Sequence, residues 1–314
     1  MDRDQRIRPV HMTPPSLRHH CGVFGITGHP DASRITVAGL HALQHRGEES
    51  AGVVMASGAY KRGAGLVSEV FDTESSMVIE GDTAIGHVRY ATMGHVDDPT
   101  HIQPLVGKGL ALAHNGTLTN IASLRAEAGY QGAGDTAAIL HLYEEGAGPP
   151  SLMAALGRVE GAWSIVALVD GFLVAGRDAR GFRPLVIGIL DGAIVVASET
   201  TALDYVGATF IAEVPPGVVY FIKDGRLEIV GSVASQAPTR CIFEHVYFAR
   251  PDSVVFGKSV HDFREESGVA LANVSPVEAD VVIAVPDSGV QAAVGYARAC
   301  GVPFGVGFVR SHYV

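Results

Sequence analysis

Short apolar segments separated by glycine-containing turns run through residues 21–235, and this pattern constrains the fold more than any other feature. Glycine supplies 38 of the 314 residues, about 12% against a usual value near 7%, which indicates many tight turns between short strands. Strands are predicted at 23–27, 51–56, 83–90, 110–114, 163–169, 172–175, 185–189 and 193–197, with a hairpin turn at 223–225.

Helical periodicity interrupts these strands in two places. Ile35, Leu40 and Leu43 can share one helix face over 33–44, and a second such face follows Asp135, at Ala137, Leu140 and Tyr143. Because helices and strands are mixed without strict alternation, we expect an α+β architecture with antiparallel sheets for residues 21–235.

The pattern changes after residue 235. The predicted elements now alternate between helix and strand, at 259–272, 280–285, 290–300 and 304–309. Such alternation is typical of a βαβ unit in a parallel sheet. We therefore divide the chain at residue 235 and expect residues 236–314 to hold the first part of an α/β domain, since two strands do not complete a doubly wound sheet.

Composition excludes several classes of function. The chain carries 33 acidic and 23 basic residues, a net charge of -10, and no basic stripe, so we do not expect nucleic acid as a partner. No apolar segment approaches the roughly 18 residues that a membrane helix needs. The three cysteines, Cys21, Cys241 and Cys300, are too few and too far apart for a disulfide framework, which favours a cytoplasmic location.

Cys21 stands at the start of the first predicted strand. Alone, a cysteine in this position is an ordinary buried residue. Four clusters follow it in order, with the sequences LQHRGEESAG at 43–52, GHVRYAT at 86–92, AHNGTL at 113–118 and GDT at 134–136. Together with Cys21 they resemble the glutaminase domain of the class II glutamine amidotransferases.

This resemblance implies a four-layer αββα sandwich of the N-terminal-nucleophile kind for residues 21–235. It also implies that the cysteine is the first residue of the mature chain, so residues 1–20 are expected to be a propeptide. Hydrolysis of a carboxamide needs a nucleophile and a base, and an α-amino group, whose pKa is about 7.7 to 8.0, can be that base for its own thiol. The thiol of Cys21 is therefore the expected nucleophile.

The resemblance gives roles to four more residues. Asn115 and Gly116 would donate hydrogen bonds to the oxyanion. Arg89 would bind the α-carboxylate of glutamine, and Asp135 would pair with its ammonium group. Taken alone, Asn115-Gly116 is also a hairpin signal and Asp135 also suits a helix N-cap.

Several polar residues inside the clusters have alternative interpretations. Arg46 either fixes the loop that contains Cys21 or pairs with Glu48 or Glu49. The histidines His45, His87 and His114 are expected to be hydrogen-bonded structural residues, and their spacing indicates no metal site.

The second half of the chain narrows the resemblance to the amidophosphoribosyltransferase family. The segments that carry it are 176–185, 197–200, 215–217, 241–253 and 285–289. In that family, ammonia from glutamine displaces pyrophosphate from phosphoribosyl pyrophosphate and forms 5-phosphoribosylamine, the first step of purine biosynthesis. The resemblance therefore implies glutamine and phosphoribosyl pyrophosphate as substrates, and we expect a homo-oligomer.

The resemblance also implies two inorganic cofactors for a complete enzyme. Ser288 matches a position near substrate-bound Mg²⁺, and otherwise is a turn-forming hydroxyl. Cys241 matches one ligand of a 4Fe-4S cluster, which a single thiolate does not hold, so an ordinary cysteine is the other interpretation. The resemblance makes residues 236–314 an incomplete phosphoribosyltransferase domain. They contain no loop suited to capture of the ribose 5-phosphate. We therefore expect glutaminase activity from this chain, with a standalone glutaminase or a non-catalytic accessory paralogue as alternatives.

Overall fold

The computed structural model describes residues 21–90, 101–132, 134–143, 146–233 and 236–309. Residues 1–20, which hold the predicted propeptide, lie outside this part, as do residues 234 and 235 at the predicted domain boundary. The helices are α1 Ala32–Ala42, α2 Val67–Val70, α3 Glu74–Met77, α4 Ile121–Ala128, α5 Asp135–Tyr143, α6 Gly148–Arg158, α7 Thr200–Val206, α8 Val260–Val274 and α9 Val290–Cys300. A 3-10 turn spans Gln44–Arg46 and a π-helical turn spans Glu244–Phe248.

The strands of the first part of the chain belong to two large sheets. They are β1 Gly22–Thr27, β2 Ser50–Met55, β3 Tyr60–Ala64, β4 Thr83–Arg89, β5 Leu105–Gly107, β6 Leu110–Leu118, β7 Gly161–Val169, β8 Phe172–Arg177, β9 Val186–Leu190, β10 Ala193–Ala197, β11 Thr209–Glu213, β12 Val218–Lys223 and β13 Arg226–Ser232. Four strands of two residues follow, namely β14 Val254–Val255, β15 Lys258–Ser259, β16 Val282–Ile283 and β17 Phe304–Gly305.

Both large sheets are antiparallel. The first has the order β11-β9-β10-β1-β4-β2-β3, and the second has the order β13-β12-β8-β7-β6-β5. Strand β1 occupies the centre of the first sheet, since Phe24 pairs with Ala197 of β10 on one side and with Gly86 of β4 on the other. Cys21 directly precedes β1 and therefore lies at the end of a central strand, with a paired strand on each side.

Side chains that alternate along each strand build three layers of core. In β1, Val23 packs between the sheets against Val166 of β7 and its neighbours, whereas Phe24 points the other way, into the core under α1. A third core lies under α4, α5 and α6 on the outer face of the second sheet. The order of layers is helix, sheet, sheet, helix, so the predicted αββα sandwich is confirmed.

The end of the described chain is α/β in character, as predicted, but its strands are much shorter than expected. β16 and β17 are parallel and two residues long, in place of the predicted strands at 280–285 and 304–309. Among the described residues neither strand has another partner, so the flanking apolar residues, such as Val285 and Val306, stay exposed.

Two local predictions have different outcomes. The hairpin turn is confirmed, because Asp224 and Gly225 have φ angles of 51° and 70° between β12 and β13, the left-handed conformation that a tight hairpin needs. The strand predicted at 110–114 continues to Leu118, because β7 pairs with it along its whole length.

The helices in the described ranges are short. The longest, α8, has 15 residues, and none combines the length and the hydropathy that crossing a bilayer requires.

Candidate active site

Cys21 and Arg89 meet at one end of the first sheet. Gly22 of β1 pairs with Val88 of β4 in antiparallel register, so the residue before Gly22 and the residue after Val88 lie at the same sheet end. Arg89 is buried, with 6% exposure, and Cys21 is half-buried. The pairing of two apolar strands thus brings the predicted nucleophile close to the predicted carboxylate-binding arginine.

Asn115 and Gly116 lie within β6 of the second sheet. Asn115 pairs with Ser164 and Gly116 pairs with Trp163, so this dipeptide is not the turn of a hairpin. A Cβ atom at Gly116 would stand 2.0 Å from the backbone oxygen of Ala162. Glycine is therefore required here by the close approach of β7.

The side-chain amide of Asn115 has an unusual environment. It is fully buried, yet neither its nitrogen nor its oxygen has a hydrogen-bond partner among the described residues. Because leaving a buried polar group unsatisfied is costly, the amide is suited to a ligand atom that arrives from outside.

Asp135 is the first residue of α5, which packs on the second sheet. Its Oδ1 accepts a hydrogen bond from the backbone N–H of Thr136 at 2.8 Å, and its Oδ2 accepts one from Leu118 at 3.3 Å. The side chain remains 31% exposed. The carboxylate is therefore oriented by backbone donors while part of it still faces open space.

A cavity of about 540 Å³ joins these elements. Of the residues predicted from the sequence, it is lined by Cys21, Arg89, Gly116 and Asp135. Asn115, the residue before Gly116 in β6, is not among the lining residues. The predicted thiol, guanidinium and carboxylate thus line a single space, together with a second arginine, Arg125.

The electrostatic environment keeps the thiol protonated in the resting site. Burial raises the pKa of the Cys21 thiol, a hydrogen bond to the backbone of Tyr90 lowers it, Asp135 raises it, and the positive charges of Arg89 and Arg183 lower it. The net shift is upward. A nearby base is therefore needed to take the proton when the sulfur attacks.

The three motif histidines have structural surroundings. Burial lowers the pKa of His87 to about 3, and its Nε2 donates to the backbone oxygen of His114 at 3.2 Å. His114 Nδ1 lies 3.1 Å from Thr136 Oγ1, and His45 Nε2 lies 2.8 Å from Glu199 Oε1. All three histidines are hydrogen-bonded, as expected. Their structural role stays a prediction, since His114 also lines the cavity.

Arg46 contacts Cys21 and does not pair with a glutamate next to it in sequence. Its Nε donates to the backbone oxygen of Cys21 at 3.0 Å. Its Nη1 donates to Glu199, and its Nη2 lies 2.9 Å from both carboxylate oxygens of Glu244. Of the two alternatives raised by the sequence, the one in which Arg46 fixes the Cys21 backbone is correct.

Sequence reasoning assigned no role to the two glutamates or to Gln103. Gln103 lines the cavity, and its Oε1 accepts from the backbone N–H of His114 at 2.7 Å. For Glu244, the sequence does offer one indication of a buried charged role, because this glutamate stands among apolar residues in the sequence IFEHV.

Ser288 and Cys241 lie apart from this cavity. Ser288 is half-buried in the turn between β16 and α9. Cys241 precedes the π-helical turn, and its sulfur lies 3.7 Å from Arg183 Nη1. Within the described ranges, no group of three or more histidine, cysteine, aspartate or glutamate side chains is arranged to hold a metal ion.

Comparison with known proteins agrees with this geometry. A family profile described as a glutamine amidotransferase domain matches residues 87–205. The chain is 48% identical to the chloroplastic amidophosphoribosyltransferase of Vigna aconitifolia over 95% of its own length and 64% of that protein. It is 43% identical to the amidophosphoribosyltransferase of Archaeoglobus fulgidus, covering 94% of this chain and 68% of that protein.

A solved structure is similar as well. The glutamine phosphoribosylpyrophosphate amidotransferase of Bacillus subtilis superimposes with a TM-score of 0.85 at 40% identity, over 93% of this chain and 67% of that chain. The chain spans less than two thirds of the plant enzymes that it matches, for example 55% of the Glycine max enzyme.

Proposed function

The chain belongs to the amidophosphoribosyltransferase family, and from this premise we propose that it hydrolyses glutamine and supplies ammonia for transfer to phosphoribosyl pyrophosphate. The observation that carries the proposal is the cavity in which Cys21, Arg89, Gly116 and Asp135 meet. The buried side-chain amide of Asn115, next to Gly116 in β6, has no hydrogen-bond partner within the described part of the chain.

The first step is attack of the Cys21 sulfur on the amide carbon of glutamine. A carbon–sulfur bond forms, the carbonyl π electrons move to oxygen, and the α-amino group of Cys21 takes the thiol proton. The resulting oxyanion receives hydrogen bonds from the Asn115 side chain and the Gly116 backbone N–H.

The tetrahedral intermediate then collapses. The carbon–nitrogen bond breaks, and the protonated amine returns its proton to the departing nitrogen, which leaves as ammonia. Water adds to the remaining thioester, the carbon–sulfur bond breaks and glutamate is released. The amine takes a proton from this water and passes it to the departing sulfur, so the thiol and the free amine are both restored at the end of each cycle.

Arg89 and Asp135 hold the amino-acid end of glutamine. A guanidinium group binds a carboxylate through two parallel hydrogen bonds, and a carboxylate pairs with an ammonium group. Arg89 is on the first sheet and Asp135 is on the helix over the second sheet, so together they orient glutamine across the end of the sandwich, with its amide toward Cys21.

In the whole protein, ammonia attacks C1 of the ribose of phosphoribosyl pyrophosphate. A carbon–nitrogen bond forms, the bond to pyrophosphate breaks, and 5-phosphoribosylamine results after loss of a proton. The names of the relatives support this second reaction, and a similar solved structure described as an enzyme of purine biosynthesis supports a place in that pathway. A cytoplasmic location and a homo-oligomeric state stay predictions.

The two implied cofactors fit the chain differently. Mg²⁺ is commonly bound through one or two carboxylates together with substrate phosphates, and a serine or threonine hydroxyl is a magnesium ligand in phosphate-binding loops. The half-buried Ser288 hydroxyl fits such a partial site and would hold the ion, which neutralises pyrophosphate charge when bound. A 4Fe-4S cluster needs four thiolates. The chain has three cysteines, which belong to different elements, so its residues do not fit the cluster.

The α-amino group of Cys21 exists only if residues 1–20 are removed, so removal is part of the proposal. Purified protein is first weighed by intact mass spectrometry and then assayed for glutamate release from glutamine, with and without phosphoribosyl pyrophosphate. We expect a mature chain that begins at Cys21 and releases glutamate. Protein with a confirmed Cys21 N-terminus that releases no glutamate would contradict the proposed glutaminase activity.

A further inference from the structure

A buried network of four charged side chains lies behind the backbone of Cys21. It consists of Arg46, Arg183, Glu199 and Glu244, two positive and two negative groups, so its formal charges balance. Arg46, Glu199 and Glu244 have no exposed surface, and Arg183 is 9% exposed. Burying charges is tolerated only where each is paired, so the four residues depend on one another.

Glu244 occupies the middle of this network. Its Oε1 accepts from Arg46 Nη2 at 2.9 Å and from Arg183 Nη1 at 3.1 Å, and its Oε2 lies 2.9 Å from Arg46 Nη2. It is the first residue of the π-helical turn, 198 positions beyond Arg46 in sequence. A residue outside the predicted glutaminase segment thus holds two arginines of that segment.

Both arginines act on Cys21. Arg46 donates from Nε to the Cys21 backbone oxygen at 3.0 Å, and the charge of Arg183 lowers the pKa of the thiol. A guanidinium group is planar, so the pair of contacts from Nη2 to the carboxylate fixes the direction in which Nε points.

Glu199 is attached differently. Its carboxylate also accepts from Ser253 Oγ at 2.7 Å and from the backbone N–H of Arg250 at 3.0 Å. Burial alone would raise the pKa of Glu199, but Arg46 and His45 lower it strongly. Glu199 therefore links several segments of the chain. Glu244, by contrast, contacts only the two arginines within the network.

We propose that Glu244 is a positioning residue for the nucleophile, and that the segment after residue 235 completes the glutamine site by holding Arg46 against the Cys21 carbonyl. Through the contact between Arg46 and the Cys21 carbonyl, Glu244 fixes the positions of the Cys21 α-amino group and sulfur relative to the oxyanion donors. Glu244 does not touch glutamine. The inference rests on the proposed glutaminase function and adds a residue that this reaction needs.

The test compares Glu244→Gln with a matched control, Glu213→Gln, in the full-length protein. Glu213 also joins the sandwich to the later segment, because its Oε1 accepts from the Gly257 backbone N–H at 2.9 Å and its Oε2 lies 3.7 Å from Arg177 Nη1. It has no contact with Arg46. Both variants remove one negative charge between the sandwich and the segment after residue 235. Only Glu244→Gln removes a partner of Arg46.

We expect Glu244→Gln to lower kcat for glutamate release about 10- to 100-fold, the range found when residues that orient metal ligands in other enzymes are replaced. KM for glutamine should stay within about twofold, because Arg89 and Asp135 are unaffected. Glu213→Gln should retain both constants. Arg46→Lys should lower kcat similarly. Its effect should not add to that of Glu244→Gln, since both variants act through the contact between Arg46 and the Cys21 carbonyl.

Full kcat in Glu244→Gln, an equal loss in Glu213→Gln, or additive losses with Arg46→Lys would overturn the inference. If Glu244→Gln does not fold, Glu244→Asp takes its place, because it keeps the charge and shortens the reach. The same reduction in kcat at constant KM is then expected, and full kcat would again overturn the inference. Wild-type protein that starts at Cys21 and releases no glutamate would instead refute the proposed function itself.

Discussion

The carboxylate of Asp135 accepts a hydrogen bond from the backbone N–H of Leu118 at 3.3 Å. This bond ties the first residue of α5 to the last residue of β6, the strand that contains Asn115 and Gly116. Because the other carboxylate oxygen is held by Thr136, the negative charge has a fixed place on the cavity wall before any ligand enters.

Asp135→Asn tests the role of that charge. The asparagine oxygen can still accept from Leu118, but the attraction to an ammonium group is lost. A hydrogen bond to a charged group contributes about 1.5 to 3 kcal/mol, so we expect KM for glutamine to rise roughly 10- to 100-fold, with a smaller change in kcat. Initial rates over a range of glutamine concentrations measure both constants, and an unchanged saturation curve would reject the assignment.

Cys21→Ala should abolish glutamate release, because alanine offers no nucleophile. Cys300→Ala is the matched control, since Cys300 is the last residue of α9 and does not line the cavity. It should retain wild-type rates. Residual glutamate release in Cys21→Ala above the level of a buffer blank would show that another group is the nucleophile.

Asn115→Leu should separate catalysis from stability. Leucine is close to asparagine in shape, and an apolar replacement for a buried polar group without partners is nearly neutral or stabilising. Loss of an oxyanion donor, however, lowers kcat by about 10²- to 10³-fold. We therefore expect much slower glutamate release with a Tm equal to or above that of wild type. A large fall in Tm would mean that the amide has structural partners.

Gly116→Ala should destabilise the protein, because its Cβ would stand 2.0 Å from the Ala162 oxygen and would force β6 and β7 apart. Gly157→Ala is the control, since no atom lies within 4 Å of a Cβ at that helical position. Alanine exceeds glycine in helix propensity by about 1 kcal/mol, so this second variant should gain stability. Thermal unfolding measures the pair, and equal Tm values would contradict the close approach of the strands.

His87 should make stability depend on pH. Burial lowers its pKa to about 3 in the folded protein, whereas an unfolded histidine has a pKa near 6.5. Between these values the unfolded chain binds the extra proton, so the free energy of unfolding falls as pH decreases from about 6.5 toward 3, by up to roughly 1.4 kcal/mol per pH unit.

Urea unfolding at pH 7, 6, 5 and 4 measures this dependence. His87→Gln keeps an N–H donor for the His114 oxygen but does not titrate, so its free energy of unfolding should decrease less steeply than that of wild type. Parallel curves for the two proteins would show that His87 does not stay neutral on folding.

Much of the sandwich could be predicted because its strands are short, apolar and bounded by turn residues. β1, β2, β4 and β10 lie within about a residue of their predicted limits. The helix α6 was missed, since Pro149 and Pro150 suggest a break, whereas proline is well tolerated in the first turn of a helix, where these two residues lie.

Contacts between distant residues set the limits of prediction at the candidate site. The sequence Asn-Gly is compatible with both a turn and a strand, and pairing with Ser164 and Trp163 of β7 decides for the strand. Likewise Glu244 and Arg46 are 198 positions apart, and nothing in either local segment indicates that they meet. The order of the motifs identified the family, but the side chains behind the nucleophile became visible only in the folded chain.

The central place of β1 has a consequence for protein synthesis. The strand that follows Cys21 pairs with β10, whose last residue is Ala197, so a nascent chain cannot complete the sheet around its own beginning until some 170 further residues have left the ribosome. The Arg46 contact with Glu244 forms later still. An unfinished chain therefore lacks the scaffold of the proposed glutamine site, which is complete only after the later segment has been made.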